Sequence, residues 1–233
     1  MADIFHEVDE EVRRERLKRL WDRYGILLIA LAVLVVAGIG AWRGYEWWLA
    51  KKAAAAGAQF EQAVTLSEQG KQNEAQALFD KLAAEAPGGY RTLANFRAAA
   101  GLVKDKPAEA VKAYDKLATD PSVGPTLQDL AAVRAALLQA DTVPFDQLKR
   151  KLEPVAEAGH PFRATARELL ALSAWNHRDY AQARHYIDAL MVDPETSPAM
   201  RSRVELLSAL IAGAAKPAEK PDGKPVAKTD SKS

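Results

Sequence analysis

The 233-residue chain contains no cysteine. That excludes disulfides, thiolate metal sites and cysteine nucleophiles, and it leaves the compartment open, because a disulfide-free protein can reside in an oxidising one. Glycine (13) and proline (12) are too few for a turn-rich, sheet-rich chain. β-Branched residues are sparse outside one block near the N-terminus, so the composition favours helix. Charge of either sign in excess is also missing: 32 Lys and Arg against 31 Asp and Glu give a net charge of +1. No basic stripe is available for a phosphate backbone, and nucleic acid is excluded as a partner.

What the chain does have is one long apolar run. From Gly25 to Trp42 the sequence GILLIALAVLVVAGIGAW carries no charge over 18 residues. As a helix it covers about 27 Å, close to the hydrocarbon thickness of a bilayer. Trp21 and Tyr24 stand at one end and Trp42, Tyr45, Trp47 and Trp48 at the other, where amphipathic rings favour the two membrane interfaces. A cleavable signal peptide is the competing reading, since basic residues precede the run and small ones (Ala37, Gly38, Gly40, Ala41) close it. Signal h-regions span only about 7–15 residues, however, which favours a retained anchor. Arg13, Arg14, Arg16, Lys18, Arg19 and Arg23 precede the run, against Arg43, Lys51 and Lys52 after it. This bias places the N-terminus in the cytoplasm and the C-terminal part outside, which in a bacterium is the periplasm. Residues 1–24 read as a short charged cytoplasmic helix: Glu10 with Arg14 and Glu15 with Arg19 have four-residue spacing, and Val8, Val12, Leu17, Leu20 and Tyr24 form an imperfect apolar stripe.

Beyond the run the sequence repeats. EAQALFDKLA from Glu74 recurs as EAVKAYDKLA from Glu109, so Ala75, Phe79 and Leu82 map to Ala110, Tyr114 and Leu117 at a shift of 35. Ala183, Ile187, Asp188, Leu190, Asp193 and Pro194 match Ala110, Tyr114, Asp115, Leu117, Asp120 and Pro121 at a shift of 73. Small, aromatic and aliphatic residues at i, i+4 and i+7 share one helix stripe, and the small residue permits a close crossing. Turn residues precede each copy (Glu68 to Lys71, Lys104 to Pro107, Asn176 to Asp179), and Pro87, Pro121 and Pro194 close them. Two antiparallel helices per 34–35 residues define a helical-hairpin array.

This pattern resembles the tetratricopeptide repeat. The family's turn glycine corresponds to Gly70, its small residues to Ala63 and Ala75, its aromatic to Phe79 and its closing proline to Pro87. The second copy departs from it, with Asp105 in place of the glycine and its proline one position early. Pro125 to Ala158 reads as a degenerate unit whose second helix is bounded by Pro144 and Pro154, and a closing helix is expected from Ser197 to Gly213. The expected architecture is therefore all-α: residues 1–24 a cytoplasmic helix, 25–44 a transmembrane helix, 45–213 a tetratricopeptide-like α-hairpin solenoid, and 214–233 a disordered Lys/Pro tail. Ala63, Ala75, Phe79, Leu82, Ala110, Tyr114, Leu117, Ala183, Ile187 and Leu190 are the expected packing positions.

Chemistry-bearing motifs are few. There is no HExxH spacing, no GxSxG, no phosphate-cradling glycine loop and no dinucleotide fingerprint, so the sequence offers no catalytic residue and no cofactor. His177 and His185, with Asp179 and Asp188 near them, make a metal-dependent protein the rival from another functional class. Trp175 and Tyr180 read as core of a hairpin, with ligand stacking as the alternative.

The charged segment, the span, the repeat array and the AWRGYEWW segment together resemble the YfgM-like family, ancillary subunits of the bacterial Sec translocon. The likeness runs from about Glu7 to Gly213. It implies a single-pass inner-membrane protein that associates with translocon subunits and a membrane-anchored periplasmic chaperone; the array itself is expected to recognise a protein partner through its concave face. The same layout would serve a scaffold of another envelope-assembly complex.

Overall fold

The computed structural model describes the backbone of residues 3–214 and the side chains of Lys18 and of Trp21 onward. The expected tail from residue 215, and the side chains of Val8, Val12, Leu17 and Leu20, lie outside the described residues. Among those described, nine α-helices follow one another: α1 (Asp3–Glu68), α2 (Gln72–Glu85), α3 (Gly88–Leu102), α4 (Pro107–Thr119), α5 (Pro125–Gln139), α6 (Phe145–Ala156), α7 (Arg163–Asn176), α8 (Tyr180–Val192) and α9 (Pro198–Ala214). A 3-10 turn, Pro121–Val123, sits between α4 and α5. The end of α1 pairs with α2, then α3 with α4, α5 with α6 and α7 with α8, and α9 closes the stack. This is an all-α, tetratricopeptide-like solenoid joined to a long apolar N-terminal helix.

The length of α1 departs from the reading of the charged N-terminal segment as a short separate helix. One helix of 66 residues, about 100 Å long, passes unbroken through residues 24–25 and 44–45. Nothing in the sequence stops it. The stretch holds no proline, and isolated glycines such as Gly44 and Gly57 cost only about 1 kcal/mol each in a helix interior.

Turn chemistry ends the other helices. Glu85, Thr119 and Val192 are last residues of α2, α4 and α8, and Pro87, Pro121 and Pro194 each follow two positions later. Gly70 (φ 78°) opens the turn into α2 in the left-handed region, where a Cβ is disfavoured. At the equivalent place before α8 stands Arg178 (φ 61°), a strained substitute. Pro107 and Pro125 occupy the first positions of α4 and α5, where no intrahelical N–H is needed. Asp179 caps α8 by accepting from the Gln182 N–H at 3.0 Å. Pro154 lies inside α6, which continues to Ala156 past its expected boundary. A proline so near the C-terminus forfeits one backbone hydrogen bond, to the carbonyl of exposed Arg150, and the last turn survives.

The hairpins close on small residues and aromatics. Ala63, Ala75, Ala110 and Ala183 are all buried to within 1%. In the first, second and fourth hairpins an aromatic from each helix meets across the pair: Phe60 with Phe79 (5.5 Å between centroids), Phe96 with Tyr114 (6.0 Å) and Trp175 with Tyr180 (5.3 Å). The third has none. Helix α5 buries Ala131, Ala132, Ala135 and Ala136 instead, and packs closely on α4. Helix α6 consequently rests more on α7 than on α5, with Leu148, Leu152 and Val155 in the main core.

Candidate protein-binding surface

Two features of this scaffold face outward in ways that matter for function. The first is the exposed apolar length of α1. Ile26, Leu34 and Val36 are each at least two-thirds exposed, and Trp21, Tyr24, Trp42, Tyr45, Trp47 and Trp48 all stand clear of protein. An exposed apolar face of this size marks a contact surface, for a membrane or for another protein. The helix has the length and composition of a membrane span. At its C-terminal flank the Lys51 and Lys52 ammonium groups lie 5.4 and 3.9 Å from the ring centroids of Trp47 and Trp48. The Trp42 indole donates to Glu46 Oε1 at 2.9 Å.

The second is the groove left where α6 splays from α5. One part, about 540 Å³, lies between α4, α5 and α6 and is lined by Ala118, Gln128, Gln147, Arg150, Lys151 and Val155, among others. A second part, about 480 Å³, continues along α4 and the end of α5, with Val111, Lys112, Leu138 and Thr142. Asp115 borders both. Lys151 Nζ bridges them, donating to Asp115 Oδ1 at 2.7 Å and to the Gln139 side-chain oxygen. At the first groove, Asp129 Oδ2 sits 2.7 Å from His160 Nδ1. Apolar walls studded with a few amides and charges of both signs suit a peptide or helix face, which needs burial for affinity and convergent polar groups for register.

The edge after α8 is fixed by a buried ionic cluster. The Asp193 carboxylate accepts from Arg163 Nε (2.7 Å), Arg163 Nη2 (2.9 Å) and Arg167 Nη1 (2.8 Å), and also from the Glu195 backbone N–H (3.0 Å). The hydrogen bonds from Arg163 hold its carboxyl well below the usual carboxylate range, against the opposing effect of burial. Arg167 Nε also donates to the Ala156 carbonyl at the end of α6 (2.9 Å), so one cluster joins α6, α7 and the α8–α9 link.

The sequence-derived packing residues divide among distinct patches. Ala63, Ala75 and Phe79 share one cluster, and Leu82 joins Ala56, Ala86 and Ala94 in another. Tyr114 and Leu117 pack with Ala131 and Ala135, while Ala183, Ile187 and Leu190 belong to the main core. Ala110 is fully buried within α4. Burial raises the Tyr114 hydroxyl pKa above the ordinary phenol value. Trp175 and Tyr180 lie against the main core. His177 Nδ1 lies 2.8 Å from the Ser173 carbonyl oxygen, and the His185 ring abuts Tyr186 edge-on. Among the described residues no group of three His, Cys, Asp or Glu could hold a metal ion. Gln128, Gln147 and Lys151 carried no sequence signal, because the third hairpin that supplies them is the one lacking the repeat pattern, whereas Asp115 stands inside the repeated EAVKAYDKLA segment.

An array of antiparallel hairpins with an open groove defines a helical-repeat interaction scaffold; such repeat domains are generally non-catalytic. Residues 18–206 match the model of the tetratricopeptide repeat-like domain, and the chain belongs to that family. The matched stretch begins ahead of the apolar run and therefore includes it. No curated protein and no solved structure matches the chain.

Proposed function

We propose that the chain is a non-catalytic, membrane-tethered scaffold that holds protein partners beside the bacterial inner membrane. Its N-terminus is cytoplasmic and its repeat array periplasmic. In this reading it is an ancillary subunit of the Sec translocon, linking it to a membrane-anchored chaperone as exported chains emerge. The observation that carries the tether is the continuity of α1: the exposed apolar length and the helix that packs on α2 and α3 through Ala56, Phe60 and Ala63 are one element. Partners bound by the array are thereby held near the membrane, where effective concentration lets weak contacts suffice. The cation bias before the apolar run supports the orientation. Resemblance to the YfgM-like family supports the choice of translocon over other envelope assemblies.

The test is photocrosslinking in intact cells from Gln128 and Gln147 in the α4–α5–α6 groove. Translocon subunits or periplasmic chaperones should be recovered. Recovery of neither, with labelling from Trp48 confirming membrane insertion, would refute the translocon assignment and leave only the tethered scaffold.

A further inference from the structure

We propose that the α4–α5–α6 groove holds a seat for a lysine or arginine side chain, with the Asp129 carboxylate at its base. Its occupant is an extended segment of a partner protein in which that cation stands between apolar residues. The proposal deepens the reading of this groove as a protein-binding surface and rests on it. Asp129 belongs to α5, lines the groove of about 540 Å³ and is only 8% exposed. A carboxylate taken so far out of water needs donors on both oxygens, because an unmatched lone pair keeps its desolvation cost. Oδ2 has His160 Nδ1 at 2.7 Å, presented by the link between α6 and α7. Oδ1 has no hydrogen-bond partner among the described residues and is not sealed in the core, so it is open to a ligand from the groove. The two cations bordering the same space leave it unmatched. Lys151 Nζ is held by Asp115 and Gln139, and Arg150, exposed on the rim, forms no ion pair among the described residues.

The unmatched group is thus anionic and lies below an apolar surface. An ammonium or guanidinium at the end of a flexible apolar stem complements both. The walls define the rest of the occupant. Ala118, Ala132, Pro154 and Val155 are apolar, so the residues flanking the cation are apolar too. Gln147 makes no side-chain hydrogen bond among the described residues, and Gln128, which donates to the Asp120 carbonyl at 2.9 Å, keeps its amide oxygen. Amides along a groove can pair with the backbone N–H and C=O groups of an extended segment, which a helix has already satisfied internally. The chain's own lysine-rich end, residues 215–233, supplies cations but has Val226 as its only large apolar residue, so it lacks the flanks. A partner protein supplies both.

The test uses the full-length protein in nanodiscs of zwitterionic lipid and three fluorescein-labelled peptides, Gly-Ser-Leu-Val-X-Val-Leu-Ser-Gly, in which X is lysine, norleucine or glutamate. Fluorescence anisotropy should rank lysine above norleucine by roughly tenfold or more, the effect of one charge-assisted hydrogen bond in a shielded place, with glutamate last. Asp129→Asn should erase the difference between lysine and norleucine. Circular dichroism checks that this variant folds. If it does not, Gln147→Lys decides, because it sets a rival ammonium at an exposed position of the same groove: it should weaken the lysine peptide and spare the norleucine one. Equal binding of the two peptides overturns the seat and leaves the groove as a protein-binding surface, as does a lysine preference that survives Asp129→Asn in a folded protein or an unchanged preference in Gln147→Lys. Tighter binding of the lysine peptide after deletion of residues 215–233 would place the chain's own lysines in the seat and overturn the partner assignment. If no peptide binds, the seat falls, and the photocrosslinks from Gln128 and Gln147 decide separately whether the groove reading falls with it.

Discussion

The sharpest energetic consequence of the structure concerns Asp193. Replacing it with alanine removes a carboxylate whose side chain is 7% exposed, and strands the guanidinium groups of Arg163 and Arg167, which are 12% and 16% exposed. Breaking a buried pair in this way costs about 3–5 kcal/mol, because an uncompensated charge stays in a poorly solvated place. Arg163 retains Glu195 at 2.8 Å and Arg167 retains the Ala156 carbonyl, so the loss should fall near the lower end, about 3 kcal/mol. For a chain of this size that lowers the melting temperature by roughly 6–12 °C, readable by circular dichroism of the full-length protein in detergent. The pH dependence adds an independent check. The folded-state pKa of Asp193 is depressed, so its contribution is complete above the unfolded aspartate value of about 4 and is lost as pH falls below that. The gap between wild type and Asp193→Ala should therefore stay constant from about pH 5 to 8 and shrink below about pH 4. Combining Asp193→Leu with Arg163→Met and Arg167→Met should recover most of the loss, since no charge is then stranded. A drop under about 2 °C, or a gap insensitive to acid, would show that the cluster acts as an ordinary surface ion pair.

Other substitutions test separate parts of the scaffold. Ala75→Arg or Ala110→Arg forces a long charged side chain into a close helix crossing and should destabilise by about 3 kcal/mol or more; an unchanged melting temperature would refute the hairpin register. Arg178→Gly relieves a left-handed residue at the turn before α8 and should stabilise by about 0.5–1 kcal/mol, seen as a small rise in melting temperature. Lys151→Met removes the tie between the two halves of the α4–α6 groove; the Lys151–Asp115 pair is partly exposed, so stability should change by less than about 1 kcal/mol while crosslinking from Gln128 changes in yield.

The repeat units were legible because their information is periodic. Ala75, Phe79 and Leu82 recur with fixed spacing, and the structure buries all three. The apolar run was legible because 18 consecutive uncharged residues have few structural explanations. The third hairpin was only partly legible. Its alanines at 131, 132, 135 and 136 read as composition, yet they set how closely α5 approaches α4 and hence that a groove opens beside α6. Asp193 itself falls in the repeat register, opposite Asp120, but its partners were invisible for a different reason: they lie 26 and 30 residues away, and no local spacing encodes a contact between α7 and the α8–α9 link. The groove inherits both difficulties, being built from an irregular unit by long-range packing.

Continuity of α1 joins the legible parts into something neither implies alone. A span and a repeat array connected by a flexible linker would leave the array free to rotate, and its grooves would sample every direction around the anchor. A helix transmits orientation instead, since each residue is fixed at about 100° of rotation and 1.5 Å of rise. Residues 43–58 contain no proline and only Gly44 and Gly57 as glycines, and Gly57 lies where an added Cβ would come within 2.7 Å of the Tyr90 hydroxyl, so its missing side chain lets α3 close on α1. The first hairpin is therefore clamped directly onto the helix that carries the apolar run, and α3 to α9 follow from it by packing. Distance of the α4–α6 groove from the apolar run and its azimuth are both set by the number of residues between Trp42 and Ala56. For the membrane-tethered scaffold proposed above, that fixed register is the property a flexible tether would lack.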